Sequence, residues 1–168
     1  MAKHIVAILV NNQFGVLNRV TSMFRRRQFN INTLTVSETE NKLHSRITVT
    51  FGGEERLKQQ LINQLYKLPD VISVEEFDPE NAVSYELLLI KMKNERRSKQ
   101  EIMSTAEVFN AKIVDFTKDS IILRLTDDSR RIDDFITIMC EYTVLEICRT
   151  GIVSLEKGGV TIRETVNL

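Results

Sequence analysis

Hydrophobic and polar positions alternate with two periods along this chain, and these periods predict its elements. An unbroken apolar run over residues 5–10 predicts a strand that is central or covered on both faces. Apolar residues at helical spacing then predict a helix from residue 16 to about 28. Around Ile47 and Phe51 strict alternation predicts a strand with only one apolar face, which we expect the pair Gly52-Gly53 to end.

The remaining pattern predicts the order βαββαβ in the first half and the same order again in the second. Further strands are expected over residues 31–37 and 71–77, with a helix between that ends before Pro69. The repeat comprises a strand over 84–93, a helix over 98–110, strands over 112–116 and 121–126, a helix that includes 132–139, and one closing strand over 143–155. Each unit is typical of a ferredoxin-like domain, an antiparallel sheet with two helices on one face. The predicted class is therefore α+β, with domains over residues 1–78 and 79–168.

Composition and charge exclude several classes of protein. The 168 residues carry 23 basic and 23 acidic side chains, so no net positive field attracts nucleic acid. No apolar run is long enough to cross a bilayer and the first residues lack a signal-peptide pattern, so we expect a cytoplasmic protein without a membrane partner. Cys140 and Cys148 have apolar neighbours and are expected to be small packing residues in a reducing compartment, without a disulfide or metal role.

Candidate chemistry is sparse. The turn after the first strand, residues 11–15, has no charged side chain and leads through Gly15 into a helix, whose free N–H groups suit a zwitterion. Such a turn is usually a connection only. His4 and His44 have no nucleophilic partner by spacing and are expected at the surface or at a strand edge, so no catalytic or metal site is predicted. The acidic pairs at 127–128 and 133–134 are expected at a helix start and on a solvated face, with a weak cation site left open.

Several short motifs share one order and spacing along nearly the whole chain. They are residues 9–17 with an Asn-x-x-Gly-x-Leu core, 29–31 before 34–36, 45–46, 66–68, 86–87 before 89–91, 109–115, and 149–153. Through these motifs the chain resembles the small, regulatory subunit of acetohydroxyacid synthase, also called acetolactate synthase, and its first half resembles an ACT domain. The motifs together are specific in a way that the turn alone is not.

The resemblance implies regulation of branched-chain amino acid biosynthesis and no catalysis by this chain. Such subunits bind valine, or leucine, between two ACT domains of a homodimer. They also bind the large catalytic subunit, raise its activity and transmit feedback inhibition. Thiamine diphosphate, magnesium and FAD are then expected on that large subunit. The positions that match the effector site are Asn12, Gln13, Phe14, Gly15, Val16 and Leu17 of one protomer with Asn30 and Ile31 of the other.

The predicted site combines this resemblance with the chemistry of the turn. N–H groups of residues 15–17 are expected to bind a carboxylate, and amide oxygens of Asn12 or Asn30 an ammonium group. Two residues depart from the family pattern: Phe14 replaces a small residue or Pro, and Gln28 replaces Gly. Both leave the effector preference open. The alternative reading is a free-standing ACT-type amino-acid sensor without a catalytic partner.

Overall fold

The computed structural model describes residues 2–162, which form two compact units. The first unit comprises residues 2–84 together with 152–162, and the second comprises Tyr85–Gly151. Each is a ferredoxin-like βαββαβ arrangement of the predicted α+β class. Within the described residues no helix combines the length and the apolar character needed to cross a membrane.

The first unit has a four-stranded antiparallel sheet covered on one face by two helices. Its elements are β1 (Ala2–Asn11), α1 (Val16–Arg26), β2 (Ile31–Glu38), β3 (His44–Gly53), α2 (Glu55–Leu65) and β4 (Val71–Glu76). The strand order is β2-β3-β1-β4, so β2 and β4 are the edges. The order of elements predicted for the first half is confirmed.

Strand β1 is central and buried on both faces, as its unbroken apolar run predicted. Val6, Ile8 and Val10 join the core beneath α1 and α2. Ala7 and Leu9 lie on the opposite face, in a second cluster with Phe77, Ala82 and Ile162. The same coverage buries Thr48 and Thr50, so the polar face of β3 is covered as well. Nearly every side chain in the middle of β1 therefore contributes to burial.

Two boundaries in the first unit differ from the prediction. Gly52 and Gly53 do not break β3, because they pair in register with Lys3 and Ala2 of β1. Helix α1 ends at Arg26, before the predicted residue 28, because Gln28 adopts a left-handed conformation with φ 60°. A non-glycine residue in that region costs about 1 kcal/mol, which the surrounding structure must offset.

The second unit repeats the arrangement with its own core. Its elements are β5 (Ala82–Lys93), α3 (Lys99–Val108), β6 (Lys112–Phe116), β7 (Ser120–Asp127), α4 (Ser129–Met139) and β8 (Val144–Arg149). The sheet order is β6-β7-β5-β8. Alternate residues of β5, namely Leu88, Ile90 and Met92, are fully buried against α3 and α4, because a strand covered on one face buries every second side chain.

The predicted closing strand over 143–155 is two strands. Gly151, with φ 84°, ends the run after β8, and β9 (Val153–Glu156) pairs with β5 instead. A left-handed glycine redirects the chain at that point. The returning segment, defined here as residues 152–162, lies with the first unit, where Arg46 Nη2 donates to the carbonyl of Ser154 at 2.9 Å. The predicted domain 79–168 had included this segment in the second half.

The two cysteines are free and exposed, so their predicted packing role is wrong. Cys140 caps the C-terminus of α4. Cys148 lies on edge strand β8 opposite Leu89, whose neighbours Leu88 and Ile90 point into the core. The alternation of the strand therefore directs Cys148 to the face away from the helices.

Candidate functional site

The turn between β1 and α1 is a fully exposed loop with a fixed backbone. The backbone N–H of Asn12 donates to the carbonyl of Leu43 at 2.7 Å, and the backbone N–H of Asn11 donates to the carbonyl of Asp70 at 2.9 Å. Gly15 has φ 82°, the left-handed conformation in which a glycine avoids the Cβ penalty. The side chain of Phe14 is entirely exposed and fills no pocket within this chain.

The start of α1 presents unpaired backbone donors. Val16 N–H donates to the carbonyl of Gln13 at 3.3 Å, whereas the N–H groups of Leu17 and Asn18 have no partner within residues 2–162. The first turn contains no acidic side chain that could satisfy them. A helix N-terminus of this kind attracts a carboxylate. Of the predicted donors, residues 15–17, Val16 has an acceptor within the chain, and Asn18 adds a donor that we did not predict.

Arg19 adds a cation beside the turn that the sequence pattern did not single out. Its Nη1 lies 3.6 Å from the point that a Cβ on Gly15 would occupy. Its Nε donates to Asp70 Oδ2 at 2.7 Å, so Asp70 holds the guanidinium in place. The only signal in the sequence is the spacing of four residues, which places Arg19 one helical turn above Gly15.

Asn12 supports the turn with its side chain. Its Nδ2 donates to Glu38 Oε1 at 3.2 Å and to the carbonyl of Lys42 at 3.0 Å, which ties the end of β1 to the connection between β2 and β3. Its Oδ1 has no hydrogen-bond partner in the described part of the chain. The predicted acceptor for an ammonium group is thus the atom that remains available.

The structure does not bring Asn30 and Ile31 to the turn within one chain. Ile31 pairs with Phe51 on β3, whereas Asn11 pairs with His44 at the other end of the same strand. At 3.4 Å per residue these two ends of β3 are about 24 Å apart. Asn30 is exposed, so both halves of the predicted site face solvent at opposite ends of the sheet.

His4 is buried, and its predicted surface or edge position is wrong. Only 8% of His4 is exposed, its Nε2 bonds to the carbonyl of Gly53 at 3.1 Å, and its ring lies against Phe51. The continuation of β3 through its glycines is what covers it. His44 is half-buried at the start of β3, where it pairs with Asn11.

His4, Glu55 and Glu76 lie close enough together to hold a metal ion. The Lys58 ammonium group, however, contacts both carboxylates. Burial alone would lower the pKa of Lys58, but its hydrogen bonds with Glu55 and Glu76 raise it above the ordinary value. The cluster is therefore an ion-pair network with its own cation, which links α2 to β4.

The acidic pairs of the second unit have structural partners. Asp128 caps α4 and accepts the N–H of Arg131 at 2.9 Å, which confirms the predicted helix start. Asp133 is not merely solvated, because Arg149 Nη1 donates to it at 2.8 Å. Arg149 also binds buried Glu86 through two bonds of 2.7 and 2.9 Å. This bidentate pair joins β8 to β5 within the sheet.

Comparison with known proteins finds the same relatives along the whole chain. The family model for an AHAS small subunit-like ACT domain matches residues 6–73, and that for the small subunit of acetolactate synthase matches 85–158. A probable acetolactate synthase small subunit from Archaeoglobus fulgidus is 41% identical over 156 residues, 93% of this chain and 98% of that protein. The acetolactate synthase small subunit of Mycobacterium leprae is 36% identical over 92% of each chain. The crystal structure of the small subunit from Thermotoga maritima, 36% identical, superposes with a TM-score of 0.88 over 95% of this chain and 100% of that one.

Proposed function

Because the chain belongs to the family of acetolactate synthase small subunits, we propose that it is a regulatory subunit which binds valine and controls a catalytic large subunit. In this role it raises the activity of the large subunit and confers feedback inhibition in branched-chain amino acid biosynthesis, in the cytoplasm. Thiamine diphosphate, magnesium and FAD are then held by the large subunit. The family match over residues 85–158 supports a catalytic partner over a free-standing sensor.

One observation carries the proposal for the effector: the uncharged turn at the start of α1. The unpaired N–H groups of Leu17 and Asn18, with Arg19 beside them, suit the carboxylate of an amino acid. Oδ1 of Asn12 is an acceptor for its ammonium group. Leu17 is 40% exposed and offers apolar surface to an aliphatic side chain. These groups together match a zwitterion with a branched hydrocarbon side chain.

The positions of Asn30 and Ile31 support a site shared between two protomers. They lie about 24 Å from the turn within one chain, too far for one amino acid to contact both. Strand β2 is an edge strand that starts at Ile31 and ends at Glu38, next to Asn12. Antiparallel pairing of β2 with the β2 strand of a second copy would bring each protomer's Asn30 to the other's turn. Pairing of the two copies through β4 would not bring Asn30 of one protomer to the turn of the other.

Reconstitution tests the proposal. The large subunit alone, this chain alone and the mixture are assayed for condensation of pyruvate to acetolactate, with valine titrated into the mixture. We expect the mixture to be more active than the large subunit, and valine to remove most of that activity. A mixture that is neither more active than the large subunit nor sensitive to valine or leucine would refute the proposal.

A further inference from the structure

The first unit contains a second concave site, on the face of its sheet away from the helices. The returning segment covers this face and leaves a cavity of about 610 Å³. That volume is within the range of pockets that hold small molecules. Leu9, Leu155, Val160 and Ile162 form its apolar walls. None of residues 12–17 of the effector turn lines the cavity, although Glu38 of the lining accepts a hydrogen bond from Asn12.

The polar lining of the cavity is strongly acidic. Among residues 2–162, four carboxylates and one cation, Arg46, line it, so the formal charge of this described lining is negative whether or not one carboxyl holds a proton. The carboxylates are Glu38, Glu40, Glu75 and Glu156. Glu38 is the last residue of edge strand β2 and Glu40 follows it, whereas Glu75 belongs to the opposite edge strand β4. A cavity lined in this way favours a cation over an anion or a neutral molecule.

Glu75 presents a buried carboxyl group that receives no hydrogen bond from an N–H or hydroxyl group within residues 2–162. Only 6% of the residue is exposed, and its side-chain hydrogen bond is with the carboxyl group of Glu156, which requires that one of the two carboxyl groups holds a proton. Arg46 Nη2 lies 3.6 Å from Glu75 Oε2, beyond hydrogen-bond distance, because it donates to the carbonyl of Ser154. A buried carboxylate oxygen without a donor costs free energy, which a bound donor would recover.

We propose that this cavity binds a small organic cation with an aliphatic body, an amine of the putrescine type, whose ammonium group donates to Glu75. The apolar walls suit the carbon chain, and the further carboxylates of the lining favour a second ammonium group. A metal ion fits less well. In the described part of the chain only His4, Glu55 and Glu76 converge closely enough for one, and they lie outside this cavity.

The protonation of Glu75 gives this proposal a measurable signature. Burial, supported by the Glu156 carboxyl group and opposed by the charge of Arg46, raises the pKa of Glu75 to about 7. The other charged groups of the described lining are Glu38, at the end of β2, and Glu40, which follows that strand. A cation binds the ionised carboxylate, so binding releases a proton from Glu75. Affinity should therefore rise about tenfold between pH 6 and pH 8.

The test is calorimetric titration of putrescine into the full-length chain and three variants. Glu75→Gln removes the negative charge of the proposed acceptor while it keeps the shape of the side chain. Val160→Phe narrows the cavity without a change of charge, at a half-exposed position where the fold is not at risk. Glu80→Gln is the matched control, since it removes one exposed carboxylate from the same unit outside the cavity. Glu38 stays unchanged because Asn12 bonds to it.

We expect saturable binding to the wild type and to Glu80→Gln. Binding should weaken at least tenfold in Glu75→Gln and in Val160→Phe, as expected for a lost charge-assisted hydrogen bond and a filled cavity. No saturable binding to the wild type at about 10 mM putrescine, or equal affinity in Glu75→Gln, would overturn the proposal. A response to magnesium chloride in place of putrescine, abolished by Glu75→Gln, would overturn it in favour of a metal site. None of these results depends on valine binding.

Discussion

Replacement of Gly15 by aspartate should abolish valine binding, and replacement by asparagine should not. Gly15 has φ 82°, so either side chain adds about 1 kcal/mol of backbone strain, and both residue types tolerate this conformation better than most. A Cβ would meet Arg19 Nη1 at 3.6 Å, an ordinary contact, so neither variant needs a rearrangement. Only aspartate places a negative charge where the effector carboxylate is proposed to bind, and its carboxylate competes for Arg19 and for the free N–H groups.

The difference between the two variants isolates the charge from the strain. One lost charge-assisted hydrogen bond is worth about 1.5 to 3 kcal/mol, or about ten- to a hundredfold in affinity, and repulsion adds to it. Calorimetric titration of valine and leucine into the wild type and both variants measures this difference, and urea unfolding measures the shared strain. Equal affinity in Gly15→Asp and the wild type would place the effector elsewhere. An equal loss of valine affinity in both variants would show that the shape of the turn matters and that the negative charge introduced by aspartate does not.

Three further predictions test other parts of the account. Asn30→Ala should weaken valine binding about tenfold, less than Gly15→Asp, because it removes one polar partner and leaves the turn intact. Titration of valine measures this loss of affinity, and an unchanged affinity would contradict the two-protomer site. Sedimentation should give a homodimer at micromolar concentration, since the site needs two copies of β2, and a monomer with and without valine contradicts it. Burial raises the pKa of Glu75 from 4.5 to about 7, so the folded state holds this proton more tightly than the unfolded state does. The protonated carboxyl should therefore contribute about 3 kcal/mol to the free energy of unfolding below pH 4.5, and this contribution should be lost as the pH rises to about 7. Urea unfolding of the wild type against Glu75→Gln should show that slope only in the wild type, and parallel pH profiles would contradict it.

The pattern of apolar residues was sufficient for the order of elements because burial leaves a strong local trace. The central position of β1 follows from residues 5–10 being apolar on both sides, and the structure buries both. One misplaced boundary depends on a partner distant in sequence, and another depends on the conformation of a single glycine. Gly52 and Gly53 remain in a strand because β1 pairs with them, and the break at Gly151 follows from its backbone conformation.

The candidate site was predictable in its composition but not in its geometry. The uncharged turn and its helix start are local, so residues 12–17 could be read directly from the sequence. The role of Arg19 depends on Asp70, which lies far along the chain and fixes the guanidinium beside Gly15. The buried state of His4 likewise depends on the pairing of β1 with β3. Contacts of this kind arise from the folded sheet and leave no periodic signal in the sequence.

The acidic cavity illustrates the same limit more strongly. Glu75 follows Val74 in a strand and has the sequence context of any half-exposed residue. Its burial results from the returning segment, which begins after the left-handed Gly151 and belongs to the first unit. No pattern near Glu75 indicates that residues 154–162 will cover it. The sequence therefore indicated that both faces of β1 are covered, but not which segment covers the second face.

The measurement that tests the central claim most directly is acetolactate formation by the large subunit with the wild-type chain and with Gly15→Asp, each with and without valine. Regulation through the turn predicts that both forms raise the activity of the large subunit and that valine inhibits only the complex with the wild type. This chain alone should form no acetolactate. If Gly15→Asp loses activation together with inhibition while it remains folded, or if valine inhibits both complexes equally, the turn is not the effector site.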